Sequence, residues 1–200
     1  MLTITRGAVA VLSMEPDDLS ARLDTLCSAP GFIGAVVHCA LDDPGKTLTY
    51  MRWSDANAAM TALGGADGPD AASFVLIEAT DVRLATAPND HEGAMTLKDD
   101  RTVALIVLME LEPTRSAELL DELNTDTDSL LPAFDAVLGV TLHRSLDGIH
   151  VIEYLQAESA EGMKAVQEQP NIKEHEGRVQ QIARSLHPGL YQVERIVGAS

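Results

Sequence analysis

The sequence predicts an α+β fold built from two ferredoxin-like βαββαβ repeats whose antiparallel sheets pack against each other. Three observations predict it. Strand-like and helix-like segments run β-α-β-β-α-β twice along the 200 residues. A gapless internal match sets Phe32-Ile33-Gly34-Ala35-Val36-Val37-His38-Cys39-Ala40-Leu41 beside Val137-Leu138-Gly139-Val140-Thr141-Leu142-His143-Arg144-Ser145-Leu146, with a Gly, a His and a Leu at the same places. A strand that runs directly into a capped helix also occurs twice, once through Thr49-Tyr50-Met51-Arg52-Trp53 to Ser54-Asp55, and again through Glu153-Tyr154-Leu155-Gln156-Ala157 to Ser159. The expected division is a first repeat over residues 1–88, a linker over 89–100 and a second repeat over 101–200.

Taken in order, Ala8-Val9-Ala10-Val11-Leu12 is a near-continuous apolar run that suits a strand buried on both faces. Pro16, Asp17 and Asp18 then open a helix carrying Leu19, Leu23 and Leu26, which Pro30-Gly31 ends. Phe32 to Leu41 and Leu48 to Trp53 read as a hairpin around Asp43-Pro44-Gly45-Lys46, a helix follows from Ser54, and Gly64 to Pro69 is a loop. Phe74 to Ile77 and Val82 to Ala87 supply the fourth strand, and the polar stretch from Pro88 to Asp100 looks like a linker. The pattern restarts with a strand over Val103 to Leu111 and a Leu-rich helix after Pro113. Val137 to His143 and Ile149 to Tyr154 form a hairpin about Asp147-Gly148. Helices follow from Ser159 and from Pro170 to about Ser185, and Leu190 to Val197 closes as a strand.

Composition narrows the function classes. A hydrophobic content of 46% supports a real core. The 31 acidic against 14 basic residues, a formal charge of -17, argue against nucleic acid and anionic membrane surfaces as partners. The apolar run Ala104 to Met109 is far short of the ~20 residues of a spanning helix, and no signal-peptide pattern opens the chain, so a cytoplasmic location is expected. Cys27 and Cys39 lack metal-ligand or redox spacing and read as reduced, buried small hydrophobes.

If each sheet has one face under its own helices, the other faces bury each other, and the space between them is the expected pocket. Residues two apart share a strand face, so Thr49, Met51 and Trp53 line up together. A first hairpin centred on Pro44-Gly45 sets His38 on that face; in the second hairpin a two-residue Asp147-Gly148 turn would set His143 beside Tyr154, whereas a bulge at Gly148, which the repeat favours, sets it beside Glu153 and Leu155. The expected site is then His38, His143 and Glu153 as acid–base groups, with Trp53, Thr49 and Met51, flanked by Tyr50 and Tyr154, holding a flat substrate. Met60 and Met163 read as core gap fillers, and His150 and His175 as surface or helix-packing residues.

The runs Thr49-Tyr50-Met51-Arg52-Trp53 and Glu153-Tyr154-Leu155-Gln156, with His143-Arg144-Ser145-Leu146-Asp147-Gly148 and the closing helix with Pro170 and His175, resemble the antibiotic biosynthesis monooxygenase family of dimeric α+β barrels. The resemblance covers both halves and so implies a tandem version. The family pattern is roughly Asn-Tyr-x-Gln-Trp followed two positions on by Ser. Here Thr49 stands at the Asn position and Arg52 at the Gln, while the second copy has Glu153 for the Asn and Ala157 for the Trp. The resemblance implies a cofactor-independent monooxygenase that uses molecular oxygen on a small aromatic or polyketide-type substrate. A non-catalytic ligand-binding or assembly protein and a haem binder are the alternatives. It also implies that the two halves close on each other as an intrachain pseudo-dimer or pair with a second chain as a homodimer.

Overall fold

The structure is a computed structural model that describes residues 2–4, 7–14, 23–64, 74–87, 89–97 and 102–198; for residues 7–14, 74, 129 and 130 it describes the backbone alone. The start of the helix expected at Leu19, the loop over 65–69 and residues 98–100 lie outside the described residues. Among the described residues there are ten strands: β1 (Leu2–Ile4), β2 (Gly7–Met14), β3 (Phe32–Ala40), β4 (Thr47–Trp53), β5 (Phe74–Leu84), β6 (Met95–Leu97), β7 (Val103–Glu110), β8 (Val137–Ser145), β9 (His150–Ala157) and β10 (Ser185–Gly198). Residues 23–26 are helical, and four longer helices are α1 (Ala56–Ala62), α2 (Ser116–Leu130), α3 (Ala160–Gln167) and α4 (Pro170–Ile182). Asp55 caps α1 by accepting from the Ala58 amide, and Ser159 caps α3 by accepting from Gly162, as the strand-to-helix transitions predict.

Eight strands close into one antiparallel barrel in the order β10-β3-β4-β2-β5-β8-β9-β7. The N-terminal strands stand as β3-β4-β2-β5 and the C-terminal ones as β8-β9-β7-β10, the same internal order. Two long strands make the seams between them. β5 pairs with β2 through residues 74–79 and continues along β8 through 77–84; β10 pairs with β7 through 185–192 and with β3 through 191–198. Each carries a bulge, between Ala79 and Asp81 and between Val193 and Arg195, which lets one strand turn from one sheet into the next. Arg83 ties the first of these strands to a helix: wholly buried on β5, it donates to Asp81 (2.5 Å) and to Asn124 Oδ1 of α2 (2.5 Å), and it also pairs with Asp128.

The barrel interior is a packed core to which six of the eight barrel strands contribute described apolar residues, among them Val36, Tyr50, Ile77, Ile106, Ile152 and Val193. The stretch expected as a polar linker contributes to it. Within that stretch β6 pairs with β1, and Leu2, Ile4, Met95 and Leu97 join the interior cluster. Gly34 and Gly139 make room for this ribbon, because a Cβ at either would meet Leu2 at 2.7 Å or Met95 at 3.1 Å. Outside the barrel, the helices cover a second apolar layer. In the N-terminal half that layer holds Leu23, Leu26, Phe32, Met51, Trp53 and Leu63; in the C-terminal half it holds Met109, Leu119, Leu123, Val140 and Val179. Met60, expected in the core, is 40% exposed, whereas Met163 is fully buried. Cys27 and Cys39 are free thiols, half-buried rather than buried. Among the described residues no helix is long and apolar enough to cross a membrane.

Candidate functional site

The hairpin registers differ from those expected, and this moves every candidate residue. In the first hairpin His38 pairs with Leu48 and Val36 with Tyr50, so the turn centres on Asp43 rather than Pro44-Gly45. Asp43 fixes it locally, its side chain accepting from the Gly45 amide (3.3 Å) and its carbonyl from Lys46 (2.9 Å). In the second hairpin His143 pairs with Ile152 and Leu142 with Glu153, the register of a two-residue Asp147-Gly148 turn without the expected bulge. Gly148 takes a φ of 76° there, a conformation that favours glycine. A shifted register reverses faces. His38 therefore does not share the Trp53 face, and His143 does not share the Glu153 face.

The structure instead brings His38, His143, Tyr50 and Tyr154 together inside the barrel, all at most 1% exposed. His38 Nε2 lies 2.9 Å from the Tyr154 hydroxyl, and His143 Nε2 lies 2.9 Å from the Tyr50 hydroxyl. Each Nδ1 faces the carbonyl of the residue's own cross-strand partner, Leu48 at 3.1 Å and Ile152 at 3.3 Å. A carbonyl only accepts, so each Nδ1–H donates, each Nε2 accepts, and both tyrosines donate. The imidazoles are neutral. Burial pushes the pKa of each down to about 4, and burial raises both tyrosines well above their ordinary value. With the tyrosine rings edge-on at 5.9 Å, the four form a satisfied polar cluster joining β3 to β9 and β4 to β8.

Thr49, Met51 and Trp53 point the other way, to the layer beneath the helices of the N-terminal half. Trp53 is 1% exposed and meets Phe32 edge-to-face at 5.3 Å. Among the described residues, Thr49 Oγ1 and Trp53 Nε1 have no hydrogen-bond partner. Leu23, Leu26, Ala59 and Leu63 pack around the indole. Trp53→Ala is therefore expected to cost ~3–5 kcal/mol of stability, read as a lower denaturant midpoint by circular dichroism. An unchanged midpoint would show the indole to be loosely held.

The corresponding layer of the C-terminal half is hollow. A cavity of about 340 Å³ lies between the outer barrel face and the three helices α2, α3 and α4. Its floor is Leu105, Val107, Met109, Val137, Val140 and Leu155, and Leu123, Met163, Val166, Ile172 and Val179 line its helical side. Glu153 rises from β9 into this apolar space. Burial raises the pKa of its carboxyl and nearby Asp126 raises it further, while His175 opposes them. Across the cavity His175 Nδ1 pairs with Asp126, and Arg178 binds Asp126 (2.7 and 2.5 Å) and Glu122 (2.5 Å). Burial works to raise the Asp126 carboxyl, but its bonds from Arg178 and His175 outweigh it and hold the group below the usual range.

His175 and Asp126 belong to this site, although His175 reads in the sequence as a surface or packing residue. The available signal was charge spacing: Glu122 and Asp126 sit four apart on α2, and His175 and Arg178 three apart on α4. Ligand atoms of Glu122, Asp126 and His175 come within 4.8 Å of one another, the one such grouping among the described residues. Arg178 already bridges both carboxylates, so the group is an ion-pair cluster tying α2 to α4.

No protein-family model matches the sequence, and no curated protein matches it significantly. Solved structures do. An anthrone oxidase-like protein superposes with a TM-score of 0.79 at 16% identity, covering 100% of this chain and 97% of its own. The chain shares its fold. A ferredoxin-fold protein of Listeria monocytogenes, described as related to antibiotic biosynthesis monooxygenases, matches with a TM-score of 0.59 at 10% identity, covering 94% of this chain and 96% of its own. A heme-degrading enzyme of the same organism matches with a TM-score of 0.56 at 9% identity, covering 93% and 99%. At these identities the likeness establishes the antiparallel α+β architecture, and function has to be argued from the site.

Proposed function

We propose that the chain is a cofactor-independent monooxygenase-like enzyme acting on a small aromatic or polyketide-type substrate held in the C-terminal cavity. The observation that carries this is the carboxyl of Glu153, raised in pKa by burial on the floor of a largely apolar cavity of substrate size. In this reading the chain is a tandem protein of two ferredoxin-like units closing as an intrachain pseudo-dimer; the matching strand orders support it. In the N-terminal unit the described side chains of the same layer form an apolar cluster. Its Trp53, Thr49 and Met51 support the fold beside a substrate site that lies in the other unit, and His38, His143, Tyr50 and Tyr154 fasten the units together.

The chemistry follows from acid–base control. Glu153 removes a proton from a methylene between two aromatic rings that are conjugated to a carbonyl, as in an anthrone, and the apolar walls exclude water. The resulting carbanion passes one electron to molecular oxygen, and the two radicals combine into a carbon–peroxide bond. Loss of water then leaves a new carbonyl. One oxygen atom stays in the product, the other departs in water, and the substrate methylene supplies the electrons. The protonated Glu153 returns its proton to the peroxide before water is lost, and His175, held by Asp126, faces it across the cavity.

A haem does not fit these residues. The cavity is near the lower end of ligand pockets, which run from about 300 Å³. Its ionisable lining is Glu153, Asp126, Glu176 and His175, with no cation among the described residues to receive propionates. A ligand-binding protein without turnover remains the second reading, favoured by the engagement of His175 with Asp126. Oxygen-electrode assays with a hydroxyanthrone, followed by mass spectrometry under labelled oxygen gas, separate the two. The expected result is oxygen uptake with one labelled atom in the product. Tight binding of the hydroxyanthrone with no uptake would leave only the second reading.

A further inference from the structure

The cavity that the proposed function treats as the substrate site has a charge pattern that selects its occupant. Four ionisable groups line it, and three are carboxyls: Glu153 inside, Asp126 on the helical side and Glu176 at the exposed rim. The fourth is His175. The guanidinium of Arg178, on the same helix as His175, is engaged by Asp126 and Glu122, and His175 by Asp126. Asp126 is thus compensated twice, while no hydrogen bond to the Glu153 carboxyl is formed by any described residue. A half-buried carboxyl against apolar walls without a protein partner is poorly compensated in either protonation state: ionised it lacks a countercharge, and neutral it lacks a protein acceptor for its proton. A ligand that brings a positive charge and several N–H donors supplies that compensation in one contact.

We infer that the cavity takes a compact aromatic or alicyclic amine, its ring system among the aliphatic walls and its ammonium against Glu153, and that it rejects ligands bearing a carboxylate. This deepens the reading of the cavity as the binding site and rests on it. Two further features of the chain point the same way. Glu176 at the rim presents a second negative charge on the route inward, and the formal charge of -17 draws cations toward the molecule and slows anions. The small volume limits the body to two or three fused rings.

The test is isothermal titration calorimetry with three probes of one shape, 1-naphthylmethylamine, 1-naphthol and 1-naphthoate, at pH 7 and low salt. The amine is expected to bind about tenfold or more tighter than the naphthol, with the naphthoate weakest. Glu153→Gln should remove the amine's advantage and leave naphthol affinity within about twofold, since the glutamine keeps the shape and loses the charge. Leu155→Trp, which fills the chamber, should abolish binding of both. A naphthoate that binds as well as the amine, or an amine affinity unchanged in Glu153→Gln, overturns the amine assignment and leaves the binding site standing. Equal binding by Leu155→Trp, or no binding of any probe to the wild type, overturns the cavity as the site together with the amine.

Discussion

Glu153→Gln is expected to abolish oxygenation of a hydroxyanthrone and to stabilise the protein at the same time. A positioned general base contributes about 10²- to 10⁴-fold in rate, and glutamine occupies the same space without accepting the proton. The rate loss should therefore fall in that range, with substrate affinity for neutral ligands nearly unchanged. The stability gain has a separate cause. Burial raises the folded-state pKa of Glu153 above its unfolded value, and Asp126 adds to this against the opposing effect of His175. A carboxyl raised in this way contributes fully to stability only below its unfolded pKa, and that contribution is lost as pH rises through the folded value. At pH 8 the ionised group works against folding, and the amide does not. The variant should melt above the wild type at pH 8, by about 2–4 °C for each kcal/mol relieved, and the difference should vanish near pH 4. A variant that keeps full oxygenase activity, or one that melts lower at pH 8, would sink the assignment of Glu153 as an unpartnered base. A site of this kind spends stability on function.

Acidification from pH 7 to 4 is expected to cost more than any single substitution. Burial pushes His38 and His143 down to about 4, against an unfolded value of ~6.5. Between those values the unfolded chain binds protons that the native barrel refuses, so their contribution is complete above pH 6.5 and drains away as pH falls toward 4. At 1.36 kcal/mol per unit this is ~3 kcal/mol for each histidine, and ~6 kcal/mol together is a large share of the roughly 5–15 kcal/mol that holds a domain. Guanidinium midpoints measured at pH 7.0 and 4.5 should show a steep fall in the wild type. His38→Gln combined with His143→Gln should flatten it while lowering the midpoint at pH 7, since glutamine keeps a donor and an acceptor but cannot take the charge. An equally steep fall in the double variant would place the acid sensitivity in the carboxylates instead.

Much of this was legible in the residues. The antiparallel α+β class and both helix caps followed from strand chemistry ending at Ser54-Asp55 and at Ser159. The pairing of His38 with His143 in the internal match, and of Tyr50 with Tyr154 in the repeated strand-to-helix runs, marked four residues that do meet. What the residues did not disclose was register. Whether the first hairpin centres on Asp43 or on Pro44-Gly45 depends on an Asx hydrogen bond that competes with a Pro-Gly turn, and that choice decides which wall Trp53 and His38 face. The seams were hidden for a related reason. Thr80-Asp81 in β5 and Pro188-Gly189 in β10 interrupt the alternation that marks a strand: the β5 bulge falls at the first, and two residues disfavoured in strands stand at the second, just before β10 passes from β7 to β3. Glu153 stood out as a carboxylate on a core strand, whereas Asp126 becomes its neighbour only through the crossing of α2 over α4.

The closure of the barrel by β5 and β10 has a last consequence, for self-association. A four-stranded sheet ordinarily offers two lateral margins of unpaired amides and carbonyls, which can recruit a neighbouring molecule. Here each N-terminal margin is spent on a C-terminal one within the same polypeptide, β5 on β8 and β3 on β10. Copies of the eight-stranded body therefore have no backbone ladder through which to zip, and must meet through side chains or helical surfaces. Fibrillar misassembly would first have to unbutton one of the two junctions, so removing Arg83, which ties β5 of the β5–β8 junction to α2, should shorten the lag before aggregation on heating.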